Sequence, residues 1–165
     1  MCIRDSVKYI AFCKTKGAKV IGGDKTAEKE AKSKIIPDMT LLKARLLFDG
    51  GYNERALKLL SKKSLNDFST QKNQLEFTYR LGRVSHSMGN HDEAITHYQT
   101  TIDRGSDASY YFACNAALQI GQIYESRNDK SNAKKFFNLC LSIKPDEYRN
   151  GLHQKAKAGL DRLKG

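Results

Sequence analysis

The chain has 165 residues, 39% of them hydrophobic and 28% charged, a size that suits one domain or a short array of repeats. No run approaches the roughly 20 apolar residues that a membrane helix needs, so membrane insertion is not expected.

The net charge is +11. The excess is spread evenly, with nine basic against five acidic residues in 1–38, ten against seven in 39–104 and ten against six in 105–165. An even spread fits solvated helix faces better than one track for phosphates, so a nucleic-acid partner is not expected.

The first residues have an unusual composition for the start of a protein. Residues 1–6, "MCIRDS", resemble the short spurious leader of translated environmental assemblies, which predicts an artefactual leader on a metagenomic fragment whose true N-terminus is missing. Residues 7–37 predict a weak N-terminal helix pair, a degenerate repeat, which ends at Pro37 because the residue before a proline avoids the helical region. The compartment, cytoplasm or periplasm, therefore stays open.

Three turn residues recur at a fixed distance. Gly50, Gly89 and Asn128 are 39 residues apart, and each closes a stretch with helical apolar periodicity. Glycine and asparagine tolerate the left-handed conformation that ends many helices. Each unit is therefore predicted to be a helix, a tight turn and a second helix. The predicted helices are 38–49 and 53–62, then 73–88 and 91–103, then 108–126 and 130–142.

The last segment predicts one further helix. Within residues 147–165, Tyr148, Leu152, Ala156 and Leu160 lie four residues apart, and the opposite face is polar. An end repeat needs a cap with a polar outer face, so this segment is predicted to be a C-terminal capping helix.

The repeated positions resemble the tetratricopeptide repeat, whose pattern is W-x₂-L-G-x₂-Y, then A-x₃-aromatic, then Pro. The clearest unit has Ile120-Gly121-x₂-Tyr124, then Ala133-x₃-Phe137, then Pro145. The middle unit has Leu81-Gly82, then Ala94-x₃-Tyr98, while the first lacks the glycine. In this interpretation the small residues let paired helices approach and the large ones fill the gaps to their neighbours. The predicted repeat-packing residues are Leu81, Gly82, Ala94, Tyr98, Ile120, Gly121, Tyr124, Ala133, Phe137 and Pro145.

The resemblance implies an all-α fold, an α-solenoid of antiparallel helix pairs with a C-terminal capping helix. It predicts tetratricopeptide-like repeats at 38–72, 73–107 and 108–146, followed by the cap at 147–165. The stretch "LLKARLLFDGGY" is similar to one in tetratricopeptide proteins of the Bacteroidetes. The chain therefore resembles the C-terminal part of such a bacterial protein.

No pattern of residues predicts catalysis, so no enzyme activity, cofactor or catalytic residue is expected. The histidines lack the i, i+4 pair of a helical zinc site, and "GAKVIGGDKT" lacks phosphate-loop spacing, so no metal site is predicted either. The four cysteines form no C-x₂₋₄-C pair. Cys114 and Cys140 are predicted to be small buried hydrophobic residues, and a disulfide framework is not expected.

Binding is the remaining class of function. In the tetratricopeptide family the first helices line a concave face on which peptides dock, so the resemblance implies a groove there. The variant that clamps a terminal carboxylate with Lys and Asn is not matched. Tyr and Arg are residue types that often anchor interfaces. The outward positions, predicted to bind the partner, are Glu76, Tyr79, Arg83, His86, Asn115, Leu118, Gln122 and Glu125.

Three hypotheses follow. The first is a non-enzymatic protein–protein interaction module or scaffold that binds a peptide or protein surface in the groove. The second is a basic helical-repeat nucleic-acid-binding protein, whose affinity would fall steeply with salt. The third is the structural end of a larger multidomain protein. The partner's identity and the oligomeric state are not predicted.

Overall fold

A computed structural model of the protein describes residues 37–164, and within this range the fold is all-α, with no strand. The predicted fold class is therefore confirmed. The predicted leader at 1–6 and almost all of the predicted helix pair at 7–37 lie outside the described residues. The helices are α1 (Met39–Asp49), α2 (Asn53–Leu60), α3 (Gln71–Ser87), α4 (His91–Gly105), α5 (Phe112–Ser126), α6 (Lys130–Ser142) and α7 (Arg149–Arg162), with a 3₁₀ turn at Leu65–Asp67.

One helix begins later than the periodicity predicts. α5 starts at Phe112 and not at 108, since residues 106–111 form turns. The carbonyl of Ser109 accepts a hydrogen bond of 2.9 Å from the backbone N–H of Asp146, in the loop before α7. Serine and aspartate in this segment also compete with helical hydrogen bonding through their side chains. The other predicted ends of the paired helices lie within two residues of the observed ones.

The three helix pairs share the same turn. The backbone N–H of Asn90 donates to Ser85 O at 2.9 Å and that of Gly89 to His86 O at 3.0 Å, which is the Schellman arrangement. Equivalent bonds close the turns at Gly51 and Asn128, and all three turn residues have positive φ. Gly51 therefore takes the left-handed conformation in the first turn. The prediction that Gly50 closes α1 is wrong by one position. Each of the three turns has three residues between its helices, and Gly51 lies 38 and not 39 residues before Gly89.

The contacts between helices arrange them in two rows. The first helices of the pairs follow one another, since α3 packs against both α1 and α5, and α7 packs against α5. The second helices α2, α4 and α6 each pack between two members of that first row, and they make no contacts with one another in the described part of the chain. This is the arrangement of a helical repeat. In this arrangement, α7 lies where the first helix of the next pair would lie.

Glycines allow the two rows to approach closely. The ring of Tyr98 on α4 lies against Gly82 on α3, where a Cβ atom would be 2.6 Å from two ring carbons. The ring of Phe137 on α6 lies in the same way between Gly121 on α5 and Gly159 on α7. Tyr98 and Phe137 are fully buried. The other predicted packing residues are also in the interior, with Ala94, Ile120, Ala133 and Pro145 buried and Leu81 and Tyr124 half-buried.

Candidate functional site

The predicted binding positions of α3 include a buried tyrosine. Tyr79 is only 3% exposed, and its hydroxyl accepts hydrogen bonds from Arg83 Nη1 at 3.1 Å and from Asn115 Nδ2 at 2.7 Å. Asn115 belongs to α5, so these bonds join consecutive members of the first row. Burial raises the pKa of the Tyr79 phenol, which therefore stays neutral at physiological pH. Tyr79, Arg83 and Asn115 are called the Tyr79 cluster below.

Arg83 links this cluster to the first helix of the preceding pair. Its guanidinium carbon lies 4.9 Å from the centre of the Phe48 ring on α1, a distance at which a cation is attracted to an aromatic face. The side chain is half-buried. Among the described residues, Arg83 makes no ion pair with a carboxylate. A partly desolvated positive charge is thus held by a neutral hydroxyl and a ring.

A histidine extends the polar surface along α3. The His86 ring lies edge-on to the His91 ring, with 5.4 Å between their centres. Burial lowers the pKa of His86, and the nearby His91 and Arg83 lower it further, while a hydrogen bond with Gln119 acts in the opposite direction. The imidazole is therefore mostly neutral at pH 7. Gln119 also donates to Asn115 Oδ1 at 3.3 Å, so it connects His86 with the Tyr79 cluster.

Glu76 forms an ion pair with an arginine of its own helix. Arg80 donates to Glu76 Oε1 from Nε at 2.8 Å, and Nη2 of the same side chain contacts that oxygen as well. The two side chains are only 18% and 11% exposed. Arg80 therefore compensates the charge of Glu76.

Two of the predicted positions do not point outward. Leu118 is 1% exposed, and like Tyr79 it belongs to a hydrophobic cluster of buried residues. α5 packs against α3, α4, α6 and α7, so little of its circumference is left open. The prediction that Tyr79 and Leu118 occupy outward positions is therefore wrong, because it treated each helix pair without its neighbours.

The predicted residues at the end of α5 differ from each other. Glu125 accepts two hydrogen bonds from Arg162 on α7, at 2.7 Å from Nε and 2.8 Å from Nη2. These bonds hold the pKa of Glu125 below its usual value. Gln122 is half-buried. The structure thus brings Tyr79, Arg83, His86 and Asn115 together, but assigns Glu125 to the contact with α7.

Three contributing residues were missed by the sequence interpretation. Phe48 and Arg80 contact the predicted residues Arg83 and Glu76, and Gln119 joins Asn115 to His86. Arg80 and Gln119 follow Glu76 and Asn115 by four residues, the spacing at which side chains on a helix meet. That signal was present in the sequence. The contact with Phe48 depends on the packing of two helix pairs and has no comparable local signal.

The described residues contain no group of three or more His, Cys, Asp and Glu side chains that could hold a metal ion. In the same part of the chain, no helix has the length and apolar character required to cross a membrane. A shallow groove of about 510 Å³ lies between α6 and α7, away from the Tyr79 cluster. Its lining combines three lysines with Asn138, Leu160, Asp161 and Leu163.

Comparison with known families agrees with the helical repeat. The family model described as "Tetratricopeptide repeat" matches residues 74–146, which span most of α3, all of α4 to α6 and the loop with Pro145. This segment is therefore similar to tetratricopeptide repeats. Repeats of this kind generally mediate protein–protein interaction, and the family is typically a non-catalytic scaffold. A search of curated proteins and a search of solved structures each found no match.

Proposed function

We propose that this protein is a non-enzymatic interaction module that binds a protein segment on its first row of helices, α1, α3 and α5. The proposal rests on one observation, the set of contacts that the Arg83 side chain makes. Its half-buried guanidinium contacts the Tyr79 hydroxyl and the Phe48 ring, and it has no carboxylate partner among the described residues.

The charge of Arg83 defines what the partner should supply. A guanidinium has five N–H donors in a fixed fork, and the Tyr79 hydroxyl accounts for one of its hydrogen bonds. A carboxylate matches the remaining donors in geometry and charge, and charge-assisted bonds of this type are about twice as strong as neutral ones. The proposed partner segment therefore carries an Asp or Glu side chain that contacts Arg83.

The surroundings of Arg83 would keep such a contact in place. Tyr79 is fixed by Asn115 from the next first helix, so the orientation of Arg83 depends on contacts across consecutive pairs. A positioned side chain loses less conformational entropy on binding than a mobile one. His86 and Gln119 are half-buried and extend the polar surface that the segment would cover.

A display library of random peptides, selected against the purified full chain, tests the proposal. We expect the selected peptides to be rich in Asp and Glu and to bind at least about tenfold more weakly to Arg83→Gln, since loss of one partner of a close charge pair costs about 2–5 kcal/mol. Arg149→Gln is the matched control. Arg149 is an exposed arginine at the start of α7, so the same loss of charge there should leave affinity unchanged.

Equal affinity of the selected peptides for both variants would contradict the proposal. The same variants should also be titrated with polyuridine RNA at two salt concentrations. RNA binding that falls steeply with salt, together with a failure to select peptides, would favour the nucleic-acid hypothesis. The bacterial group predicted from "LLKARLLFDGGY" plays no part in this proposal.

A further inference from the structure

Two cysteines meet inside the third helix pair. Cys114 on α5 and Cys140 on α6 have their sulfur atoms 3.6 Å apart, and neither residue is exposed to solvent. Cys114 Sγ is also 3.4 Å from the carbonyl oxygen of Cys140, so it approaches the main chain of its partner as well as the side chain. Both are free thiols in this structure.

This geometry is close to that of a cross-link. A disulfide needs about 2.05 Å between its sulfurs, so these atoms must approach by roughly 1.5 Å, a change that side-chain rotation can supply where two helices already touch. A closed zinc site is a poorer explanation, because it takes four ligands and the described residues place no third potential ligand with this pair.

We propose that Cys114 and Cys140 form a disulfide that ties α5 to α6 when the chain folds in the presence of a small disulfide oxidant such as oxidised glutathione. One cysteine thiolate attacks the oxidant, forms a mixed disulfide and releases one glutathione thiolate. The second cysteine thiolate then attacks the mixed disulfide at the protein sulfur and releases the other glutathione thiolate. The protein loses two thiol protons and two electrons, and the electrons reduce the oxidant to two thiols.

Burial decides when this exchange can occur. A mixed disulfide with glutathione does not fit where both cysteines are fully buried, so the oxidant must react before α5 and α6 have packed. After packing, the same burial shields the bond from reducing thiols. The redox state of the pair therefore records the conditions of folding. The cross-link lies next to Asn115, whose amide holds the Tyr79 hydroxyl, but the inference does not depend on the proposed function.

The test uses the full chain with Cys2→Ser and Cys13→Ser, so that only this pair can react. The protein is unfolded, reduced and refolded with oxidised and reduced glutathione, then treated with an alkylating reagent and weighed by mass spectrometry. We expect a monomer lighter than the reduced protein by two hydrogen atoms, with neither cysteine alkylated. Its melting temperature should exceed that of the reduced protein by about 5–10 °C, since disulfides typically stabilise by a few kcal/mol.

Two controls make the result specific. Cys114→Ala and Cys140→Ala should each remove the intramolecular cross-link and the difference in melting temperature between oxidising and reducing buffers. The already folded protein, placed in the same glutathione mixture, should keep both thiols. Alkylation of both cysteines after oxidative refolding, a cross-link formed only between chains, or a lower melting temperature of the oxidised protein would each overturn the proposal. Rapid oxidation of the folded protein would overturn the claim that burial protects the pair.

Discussion

The ring of Tyr98 occupies the space that a side chain at Gly82 would need. A Cβ atom added at Gly82 would lie 2.6 Å from two carbons of this ring, and Tyr98 is fully buried. The next unit repeats the relationship with Phe137 and Gly121 at the same distance. The close packing of the two helices in these pairs therefore depends on the missing side chain.

The first prediction concerns this contact. Alanine is the better helix former, but in Gly82→Ala the added methyl group must displace the Tyr98 ring or the helix that carries it. Overpacking of this kind costs about 1–3 kcal/mol, so we expect a lower free energy of unfolding, measured by urea denaturation.

Gly151→Ala supplies the control for this change. Gly151 lies in α7, and an added Cβ there meets no atom within 4 Å. The same substitution should stabilise the protein by about 0.5–1 kcal/mol, because only the effect on backbone entropy remains. A neutral or stabilising Gly82→Ala would show that the two helices can separate without cost.

The second prediction compares two buried tyrosines. The hydroxyl of Tyr98 has no hydrogen-bond partner in the described part of the protein, and Phe137 already occupies the equivalent position 39 residues later. An unpaired buried hydroxyl is destabilising. Tyr98→Phe should therefore leave the free energy of unfolding unchanged or raise it by up to about 1 kcal/mol.

Tyr79→Phe should have the opposite effect. This change removes the acceptor of Asn115 Nδ2 and Arg83 Nη1, and a buried donor left without a partner costs about 1–3 kcal/mol. Urea denaturation of both variants checks the pair of predictions. Equal effects of the two substitutions would contradict the different environments of the two hydroxyl groups.

The parts of the fold that could be predicted depend on neighbours in sequence. The turns at Gly89 and Asn128 follow from residues that tolerate positive φ, and the helices beside them follow from apolar spacing. The first turn shows the limit of this reasoning. The left-handed residue of this turn is Gly51 and not the adjacent Gly50, because the first and second turns lie 38 residues apart and not 39.

The candidate site was harder to predict because its contacts join separate helix pairs. Tyr79 was predicted to lie on the outer face of its helix, but Asn115 and Phe112 of the next first helix contact it. The partner of Glu125 is Arg162, 37 residues further along the chain. Residue type indicated which side chains could bind, while their exposure depended on the packing between pairs.

The third prediction concerns pH. Burial lowers the pKa of His86 below its ordinary 6.5, so below that pH the unfolded chain binds a proton that the folded chain does not. Stability should therefore be fully present above about pH 6.5 and should fall as the pH decreases toward the folded pKa. His86→Gln should reduce the loss of melting temperature between pH 7.5 and 5.5.

His97 has to be considered in the same experiment, because burial also lowers its pKa, although Glu93 acts in the opposite direction. The His86→Gln variant should therefore keep part of the pH dependence, and the double variant with His97→Gln should keep less. An unchanged pH dependence in the double variant would rule out these two histidines as its source.

The last prediction concerns the attachment of α7. Arg162 donates two hydrogen bonds to Glu125 and so joins α7 to α5, and these bonds lower the pKa of the Glu125 carboxyl. The stabilisation should be present above the carboxyl's unfolded pKa and lost as the pH falls through the lower folded value. Because the Arg162 side chain is largely exposed, Glu125→Gln should cost only about 0.2–1 kcal/mol, and less at high salt. Hydrogen exchange should show faster opening of the α7 amides in this variant.

Asp161→Asn is the control, since the partner of Asp161 is Lys164, three residues further along, and the pair does not reach α5. Exchange in α7 that is equal in the two variants would mean that apolar packing of Leu152 and Ala156, and not the Glu125–Arg162 pair, holds this helix.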